Sequence, residues 1–317
     1  MLSKEASKTV SGRSPRQLAW SRFKSNKVGV PSLVAALIII GAVVFAPQVC
    51  ALLGISPDVR DADSIDARGQ VIGEWGGISA EHPLGVVPGI GYDVLARLLY
   101  GAQISFLIAL MATLASVGTG LVFGMLSGYF RGKVDSVIGR YTDFLLAFPS
   151  FFMILALSAP MIQRIEMSGI ARNNDARILY LILILAFFGW PYLSRIIRSQ
   201  VLSLRERDFV LSARALGASN TRIIFKEILP NVWTPVIVYM SLTLPGYLTA
   251  EAVFSYLGIG VQPPTPTWGL LIADSTKFII NEPTYFFIPS LSLILVVLVF
   301  NLLGDAIRDA LDPKSES

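Results

Sequence analysis

Side chains that could carry out catalysis or bind a metal are scarce in this sequence of 317 residues. It contains one cysteine, Cys50, and one histidine, His82, whereas a disulfide framework or a multi-ligand metal centre needs several such residues. The nearest approach to a phosphate-binding loop, residues 128–134, is one residue short and lacks the Ser or Thr that would hold magnesium. We therefore expect no catalytic residue, no bound cofactor and no metal site in this chain.

The composition instead indicates a protein that crosses a lipid bilayer. Hydrophobic residues make up 53% of the chain and charged residues 15%, against about 25% charged residues in soluble domains. The net charge of +4 is too small to indicate nucleic-acid binding. Several charge-free stretches can supply the ~20 helical residues that cross a bilayer, so the predicted fold class is an all-α integral membrane protein. The six predicted transmembrane helices lie near 29–51, 102–128, 136–162, 178–200, 231–257 and 285–307.

The distribution of Lys and Arg predicts the orientation of these helices, because short loops rich in these residues remain in the cytoplasm. Residues 1–27 contain seven Lys or Arg and one acid, and residues 195–230 contain seven Lys or Arg. Residues 52–101 contain three Arg and seven acids, which places them outside the cell. The loop 163–177 deviates from the rule, since its three Arg lie on the predicted outer side.

These assignments divide the chain of a membrane protein whose two termini are both predicted to be cytoplasmic. The first helix is predicted to be kept as an anchor, because its apolar run exceeds the usual ~7–15 residues of a signal peptide. Acids and turn-forming residues predict a folded but irregular structure for the outer segment. The predicted segments are a cytoplasmic basic N-terminal segment (1–27), transmembrane helix 1 (28–51), an extracytoplasmic segment (52–101), a core with helices 2–6 and a cytoplasmic loop at 203–230 (102–307), and a cytoplasmic tail (308–317).

Two of the predicted spans contain residues that could border a path through the membrane. Small residues recur at every fourth position of the second span, including Gly120 and Gly124, and such a face lets helices approach closely. It can pack within this chain or against a second subunit. In the fifth span Pro245 can kink the helix and Glu251 is costly to bury, so Glu251 either bonds a neighbouring helix or lines a path. Gly120, Gly124, Pro245 and Glu251 are the candidate path residues.

The segment after the fourth span has the pattern of two short helices joined by a tight turn. Asp208 is placed to cap the first helix, and Gly217 is placed to end it. Ser219 or Asn220 can cap a second helix that Pro230 closes before the fifth span. Small residues around the turn allow another protein to dock closely. The alternative is a compact cytoplasmic hairpin with no partner.

This segment resembles the Glu-Ala-Ala loop of binding-protein-dependent ABC importer permeases. Ala213, Gly217, Leu229 and Pro230 match that motif, whereas Glu227 occupies a position where the family has Ile. Leu211 and Ser212 likewise replace the initial Glu-Ala, departures that are usual in the peptide-transporter branch of the family.

Three further stretches are similar to the C-type permease subunit of dipeptide and oligopeptide importers. They are the sequence 255–269 after the fifth span, the C-terminal sequence 300–313, and the His-Pro-Leu-Gly motif at 82–85. One departure follows that motif, where Val86 and Val87 replace the Thr-Asp usual in the family.

The resemblance implies the six-helix fold of type I ABC importer permeases and a transport role without enzymatic activity. It implies a second, B-type permease subunit, two cytoplasmic ATPase subunits, an extracytoplasmic solute-binding protein, and a short peptide in transit through the lipid-embedded complex. ATP and magnesium would then be bound by the partner ATPases. The residues implied to couple this chain to an ATPase are Asp208, Ala213, Arg214, Ala215, Leu216, Gly217, Ala218, Ser219 and Arg222.

Two alternatives remain at this point. Within the same family the cargo can be nickel, an opine or another small solute. A more remote alternative is an autonomous channel or secondary transporter, for which inverted repeats or paired broken helices would be evidence. The sequence contains no such repeat.

Overall fold

The computed structural model describes residues 15–311. Residues 1–14 of the predicted N-terminal segment and residues 312–317 of the predicted tail lie outside this range. Regular structure in the described range is helical, with three isolated antiparallel bridges and no strand. The helices are α1 Pro15–Ser25, α2 Gly29–Val44, α3 Ala46–Leu53, α4 Val94–Phe130, α5 Gly132–Ala147, α6 Ser150–Ser168, α7 Asn173–Leu204, α8 Asp208–Ala215, α9 Asn220–Arg222, α10 Trp233–Tyr256, α11 Trp268–Ser275 and α12 Pro283–Leu311.

Four of the described helices, α4, α7, α10 and α12, are each long and apolar enough to cross a membrane. Two bent pairs raise the number to six if each pair forms one span: α1 with α2, bent by 92°, and α5 with α6, bent by 88°. The second bend occurs at Pro149, because proline forces the preceding Phe148 into an extended conformation with ψ 137°. Pro191 and Pro245, by contrast, lie inside continuous helices.

The centre of the bundle is the contact between α4 and α7, which the small-residue face of α4 makes possible. A Cβ atom on Gly124 would lie 2.6 Å from the Ile197 Cβ atom and 2.8 Å from the Ser194 carbonyl oxygen. One turn earlier, a Cβ atom on Gly120 would lie 2.8 Å from the Trp190 carbonyl oxygen. These glycines therefore bring the two helix backbones closer than any other residue would allow.

Residues 54–93, here called the cap, form an irregular folded unit between α3 and α4 at one end of the bundle. Its chain is held by turns and by the bridges Arg60–Tyr92, Ile65–Val71 and Val86–Asp93. The cap packs on the beginning of α12, where Tyr285 is buried against Val87 and Val94. We call this end of the bundle the cap end and the opposite one, which carries residues 205–232, the loop end.

A hairpin after α10 returns to the bundle at the cap end. Its helix α11 begins at Trp268, which is buried and donates its indole N–H to the Leu98 carbonyl of α4 at 2.9 Å. Arg97, also buried, donates to the Pro57 carbonyl of the cap at 3.2 Å and to the Pro264 carbonyl of the hairpin at 3.1 Å. One side chain of α4 thereby fixes both the cap and the hairpin.

Candidate functional site

The loop between α7 and α10 is built around the two-turn helix α8. Asp208 is its first residue, and Arg207 occupies the N-cap position without a side-chain cap. The prediction that Asp208 caps this helix was therefore wrong by one position. Its carboxylate lies instead in the first turn, where a negative charge is favourable beside the exposed N–H groups.

The predicted end of α8 at Gly217 is confirmed. Gly217 has φ +81°, its N–H donates to the Arg214 carbonyl at 3.0 Å, and the next N–H, of Ala218, donates to the Ala213 carbonyl at 3.0 Å. This pair of bonds is the Schellman arrangement, which needs a left-handed residue at the position of Gly217. Ser219 then caps α9 by accepting the Arg222 N–H at 3.4 Å, as one of the two predicted alternatives stated.

The second helix of the loop does not stop at Pro230, contrary to the sequence prediction. It continues from α9 as a π-helical turn, Ile223–Ile228, and then a 3-10 turn, Leu229–Asn231, that leads directly into α10. Pro230 is accommodated because the missing N–H falls at the start of the 3-10 turn, where no partner is required. The loop is thus continuous with the span that follows it.

The loop is attached rigidly to the ends of α4 and α7. Val210 is fully buried and packs with Ile223 and Ile228, which are also fully buried. The hydroxyl of Tyr129, on α4, donates to Asn220 Oδ1 at 2.7 Å, and Arg205 donates to the Tyr129 carbonyl at 2.6 Å. Sequence reasoning missed these anchors, and no spacing in the sequence links Tyr129 to Asn220.

The outer surface of the loop is apolar and exposed. Leu216 is 88% exposed and Phe225 is 61% exposed. Phe209 and Leu211, both on α8, are exposed as well. Such an exposed apolar surface is typical of a site that contacts another protein or the membrane. Of the predicted coupling residues, Ala213 and Ala218 are half-buried, and the exposed ones are Asp208, Arg214, Ala215, Leu216, Gly217, Ser219 and Arg222.

The four candidate path residues occupy the interior of the chain. Gly120, Gly124, Pro245 and Glu251 are all buried, so none of them lines an open surface of this subunit. For the glycines, the alternative of packing within the chain accounts for their burial, because α7 fills the space beside them. Within this chain the two glycines are packing residues, and the assignment of all four residues to the border of a path stays a prediction.

Glu251 is the centre of a buried hydrogen-bond cluster at the cap end of α10. It is 0% exposed, and its two carboxylate oxygens accept from the hydroxyls of Ser105 on α4 and Ser255 on α10, both at 2.7 Å. Ser105 Oγ also accepts a hydrogen bond from the backbone N–H of Trp268, the first residue of α11, at 3.3 Å. Glu251 thus bonds the neighbouring helix, which was one of its two predicted roles, and joins α4, α10 and α11.

A second polar cluster lies in the cap around the histidine. His82 Nδ1 lies 2.8 Å from Asp93 Oδ2, and His82 Nε2 lies 3.0 Å from Asp61 Oδ2. Asp93 also caps α4 by accepting the Ala96 N–H at 2.7 Å. Burial alone would lower the pKa of His82, but its bonds to Asp93 and Asp61 outweigh this effect and raise the pKa. Among the described residues no group of His, Cys, Asp and Glu could hold a metal ion.

Comparison with known proteins is consistent with these features. Residues 120–317 match the family described as binding-protein-dependent transport system inner membrane component, and residues 14–60 match the N-terminal TM domain of oligopeptide transport permease C. The chain belongs to the binding-protein-dependent permease family. The resemblance seen in the loop motif is thereby confirmed over most of the chain.

Relatives in this permease family match over nearly the whole chain. The dipeptide transport system permease protein DppC of Alkalihalophilus pseudofirmus is 34% identical over 96% of this chain and 91% of its own. The oligopeptide transport system permease protein OppC of Mycobacterium bovis is 36% identical over 96% of each chain. Among solved structures, an inward-facing MetNI methionine ABC transporter matches with TM-score 0.53 and 17% identity over 68% of this chain and 96% of that one, which establishes a shared permease fold.

Proposed function

We propose that this chain is the C-type permease subunit of an ATP-driven importer of short peptides. The observation that carries the proposal is the near full-length similarity to a dipeptide and an oligopeptide permease, at 34% and 36% identity. The chain contributes transmembrane helices and a docking loop. Hydrolysis of ATP with magnesium belongs to partner subunits.

The complete importer contains four kinds of partner for this chain. A second, B-type permease completes the translocation path, two ATPase subunits sit in the cytoplasm, a solute-binding protein delivers the peptide from outside, and lipid surrounds the helices. The basic residues of the loop end support its assignment to the cytoplasm of a bacterial plasma membrane. The cap then faces the outside, and both termini lie inside.

The loop end is proposed to transmit the motion of an ATPase to the helices. Its exposed apolar residues, with Leu216 foremost, supply the docking surface, and the exposed Arg214 and Arg222 can form charge-assisted bonds to carboxylates of the partner. Because Tyr129 and Val210 fix the loop to α4 and α7, a displacement of the loop moves these helices with it. A loosely attached loop would absorb the same displacement.

The path is proposed to run along the exposed face of α10. Gly246, Thr249 and Val253 are exposed and lie three or four positions apart, so they share one face of this helix. Pro245 and Glu251 lie on the buried side of the same helix and hold it against α4 and the rest of the bundle. Gly120 and Gly124 support the path only by holding α4 against α7.

Reconstitution tests the proposal. Proteoliposomes that contain this chain, the second permease and the ATPases, with the binding protein on the outside, are expected to accumulate a radiolabelled dipeptide only when ATP is inside. Uptake of nickel or an opine in place of the peptide would establish the alternative cargo. Peptide uptake by this chain alone, without ATP, would establish a channel or secondary transporter and refute the proposal.

A further inference from the structure

The cap presents one large aromatic side chain to solvent at the tip of a glycine-rich turn. Trp75 is 73% exposed, although a tryptophan is usually largely buried. Its backbone has φ +55°, and the glycines around it, Gly73, Gly76 and Gly77, also have positive φ. A bulky residue in this left-handed conformation is a genuine outlier, because its Cβ atom crowds the backbone.

The position of Trp75 is unfavourable to folding in two ways. Its left-handed backbone costs about 1–3 kcal/mol, which glycine at this position would not incur. Its indole ring gains little from burial, because most of the ring surface remains in water. Among residues 15–311 the Trp75 side chain has no hydrogen bond or ring contact that offsets these costs, so the residue is best explained by a contact outside the chain.

The turn that carries Trp75 is held firmly at its base. The Gly76 carbonyl accepts the Val86 N–H at 3.0 Å, and the Gly77 N–H donates to the Glu74 carbonyl at 3.1 Å. Gly76 also sits against α12, where a Cβ atom would lie 2.5 Å from the Thr284 hydroxyl oxygen. The ring is therefore displayed from a fixed support, which lowers the entropy lost when a partner binds it.

The surroundings of Trp75 indicate the chemistry of that partner. Ile72 is 54% exposed and Ile78 is 48% exposed, so two apolar side chains flank the aromatic one along the turn. Five acids of the cap are exposed, against two exposed Arg, and one of these acids, Glu74, is adjacent to Trp75. This negative charge opposes binding to an anionic lipid surface and favours a protein surface with basic side chains around an apolar pocket.

We propose that Trp75 anchors the solute-binding protein to this subunit. The proposal rests on the proposed function, which places the cap outside the cell and supplies a binding protein as partner. The indole ring enters an apolar pocket on the binding protein, Ile72 and Ile78 cover the rim of that pocket, and the exposed acids of the cap face basic residues there. Tryptophan is among the residues that most often dominate such interfaces.

The test measures binding-protein affinity for the full permease–ATPase complex in lipid nanodiscs. Three variants are compared with the unmodified complex: Trp75→Gly, Trp75→Phe and Trp20→Ala. Trp75→Gly removes the ring and relieves the backbone, so the fold is kept or stabilised. Trp75→Phe retains an aromatic ring. Trp20→Ala is the matched control, because Trp20 is 52% exposed at the loop end, on the other side of the membrane.

We expect Trp75→Gly to weaken binding of the peptide-loaded binding protein about thirtyfold, the loss typical of a hot-spot residue. Trp75→Phe is expected to lose only part of this affinity, and Trp20→Ala none. The thermal unfolding midpoint of Trp75→Gly is expected to equal or exceed that of the unmodified complex. This excludes misfolding as the cause of the lost affinity.

Two results would overturn the inference. Equal affinity of Trp75→Gly and the unmodified complex would show that the ring is not an anchor. Quenching of Trp75 fluorescence by brominated lipid, lost in Trp75→Phe and seen without binding protein, would show that the ring enters the membrane. If the binding protein fails to bind even the unmodified complex, the proposed function itself fails. This result differs from failure of the Trp75 inference alone, in which the unmodified complex and Trp75→Gly bind equally well.

Discussion

The contact between α4 and α7 supports a quantitative prediction about one added methyl group. In Gly124→Ala, the new Cβ atom would lie 2.6 Å from the Ile197 Cβ atom, at least about 0.8 Å closer than ordinary van der Waals contact. The Ser194 carbonyl oxygen, at 2.8 Å, blocks the other direction. Because both neighbours belong to the body of α7, the helices must separate. Overpacking of this kind costs about 1–3 kcal/mol.

A matched control is available on the same helix. Gly118 is exposed on α4, and a Cβ atom added there would meet nothing within 4 Å. Gly118→Ala is therefore expected to leave packing unchanged and to gain about 0.5–1 kcal/mol from the better helix propensity of alanine. The two variants add the same methyl group, so the difference between them isolates the contact with α7.

Thermal unfolding of the purified complex in nanodiscs measures both variants. Gly124→Ala is expected to lower the unfolding midpoint by several degrees, and Gly118→Ala is expected to leave it unchanged or raise it slightly. Peptide uptake by Gly124→Ala is expected to fall as well, because separation of α4 from α7 displaces Tyr129 and the loop attached to it. Equal midpoints for the two variants would refute the packing argument.

Three further predictions address the loop, the cap and the buried carboxylate. Gly217→Val should abolish copurification of the ATPase subunits, because φ +81° is strained for valine. Gly217→Asn should retain these subunits, because asparagine tolerates this conformation. If both variants copurify the ATPase subunits equally well, the turn has no role in docking. The neighbours of His82 raise its pKa, so its protonated form stabilises the cap fully at low pH, and this contribution is lost as pH rises through the raised pKa. Amide hydrogen exchange in the cap should therefore accelerate with pH more steeply than exchange of unstructured amides does. His82→Asn should remove this additional acceleration. Glu251→Ala should lower the unfolding midpoint, because it leaves two buried hydroxyls without their acceptor at about 1–3 kcal/mol each. Glu251→Gln should lower the midpoint less, since its amide oxygen can still accept a hydrogen bond. Equal decreases for the two variants would show that the carboxylate charge, and not the hydrogen bonds, stabilises this cluster.

Sequence reasoning predicted the helical membrane fold because its signals are local. Long charge-free stretches predicted the four single-helix spans, whereas the span predicted near 136–162 is bent by 88° between α5 and α6, at Pro149. The Gly217 turn was likewise predictable, since glycine is the residue that most often adopts the left-handed backbone at the end of a helix. The error at Asp208 is of the ordinary size for a helix boundary, where a shift of one residue changes a cap into a first-turn residue.

The contacts that hold the sites together could not be predicted from one sequence. Ser105 and Glu251 are 146 residues apart, and Tyr129 and Asn220 are 91 residues apart, so nothing in their spacing indicates a bond. The sequence left open what the small-residue face of α4 contacts, for a related reason. Whether Gly124 faces lipid, a partner or α7 depends on where α7 lies, and that is a property of the whole bundle.

The two bonds of Arg97 have a consequence for protein engineering. They join Pro57, 40 residues earlier in the chain, to Pro264, 167 residues later, through a single buried guanidinium group. A chimera that takes the cap from one relative and the hairpin from another would have to match both carbonyl positions to the same side chain. We therefore expect residues 54–97 and 257–267 to be exchangeable between relatives only as one module.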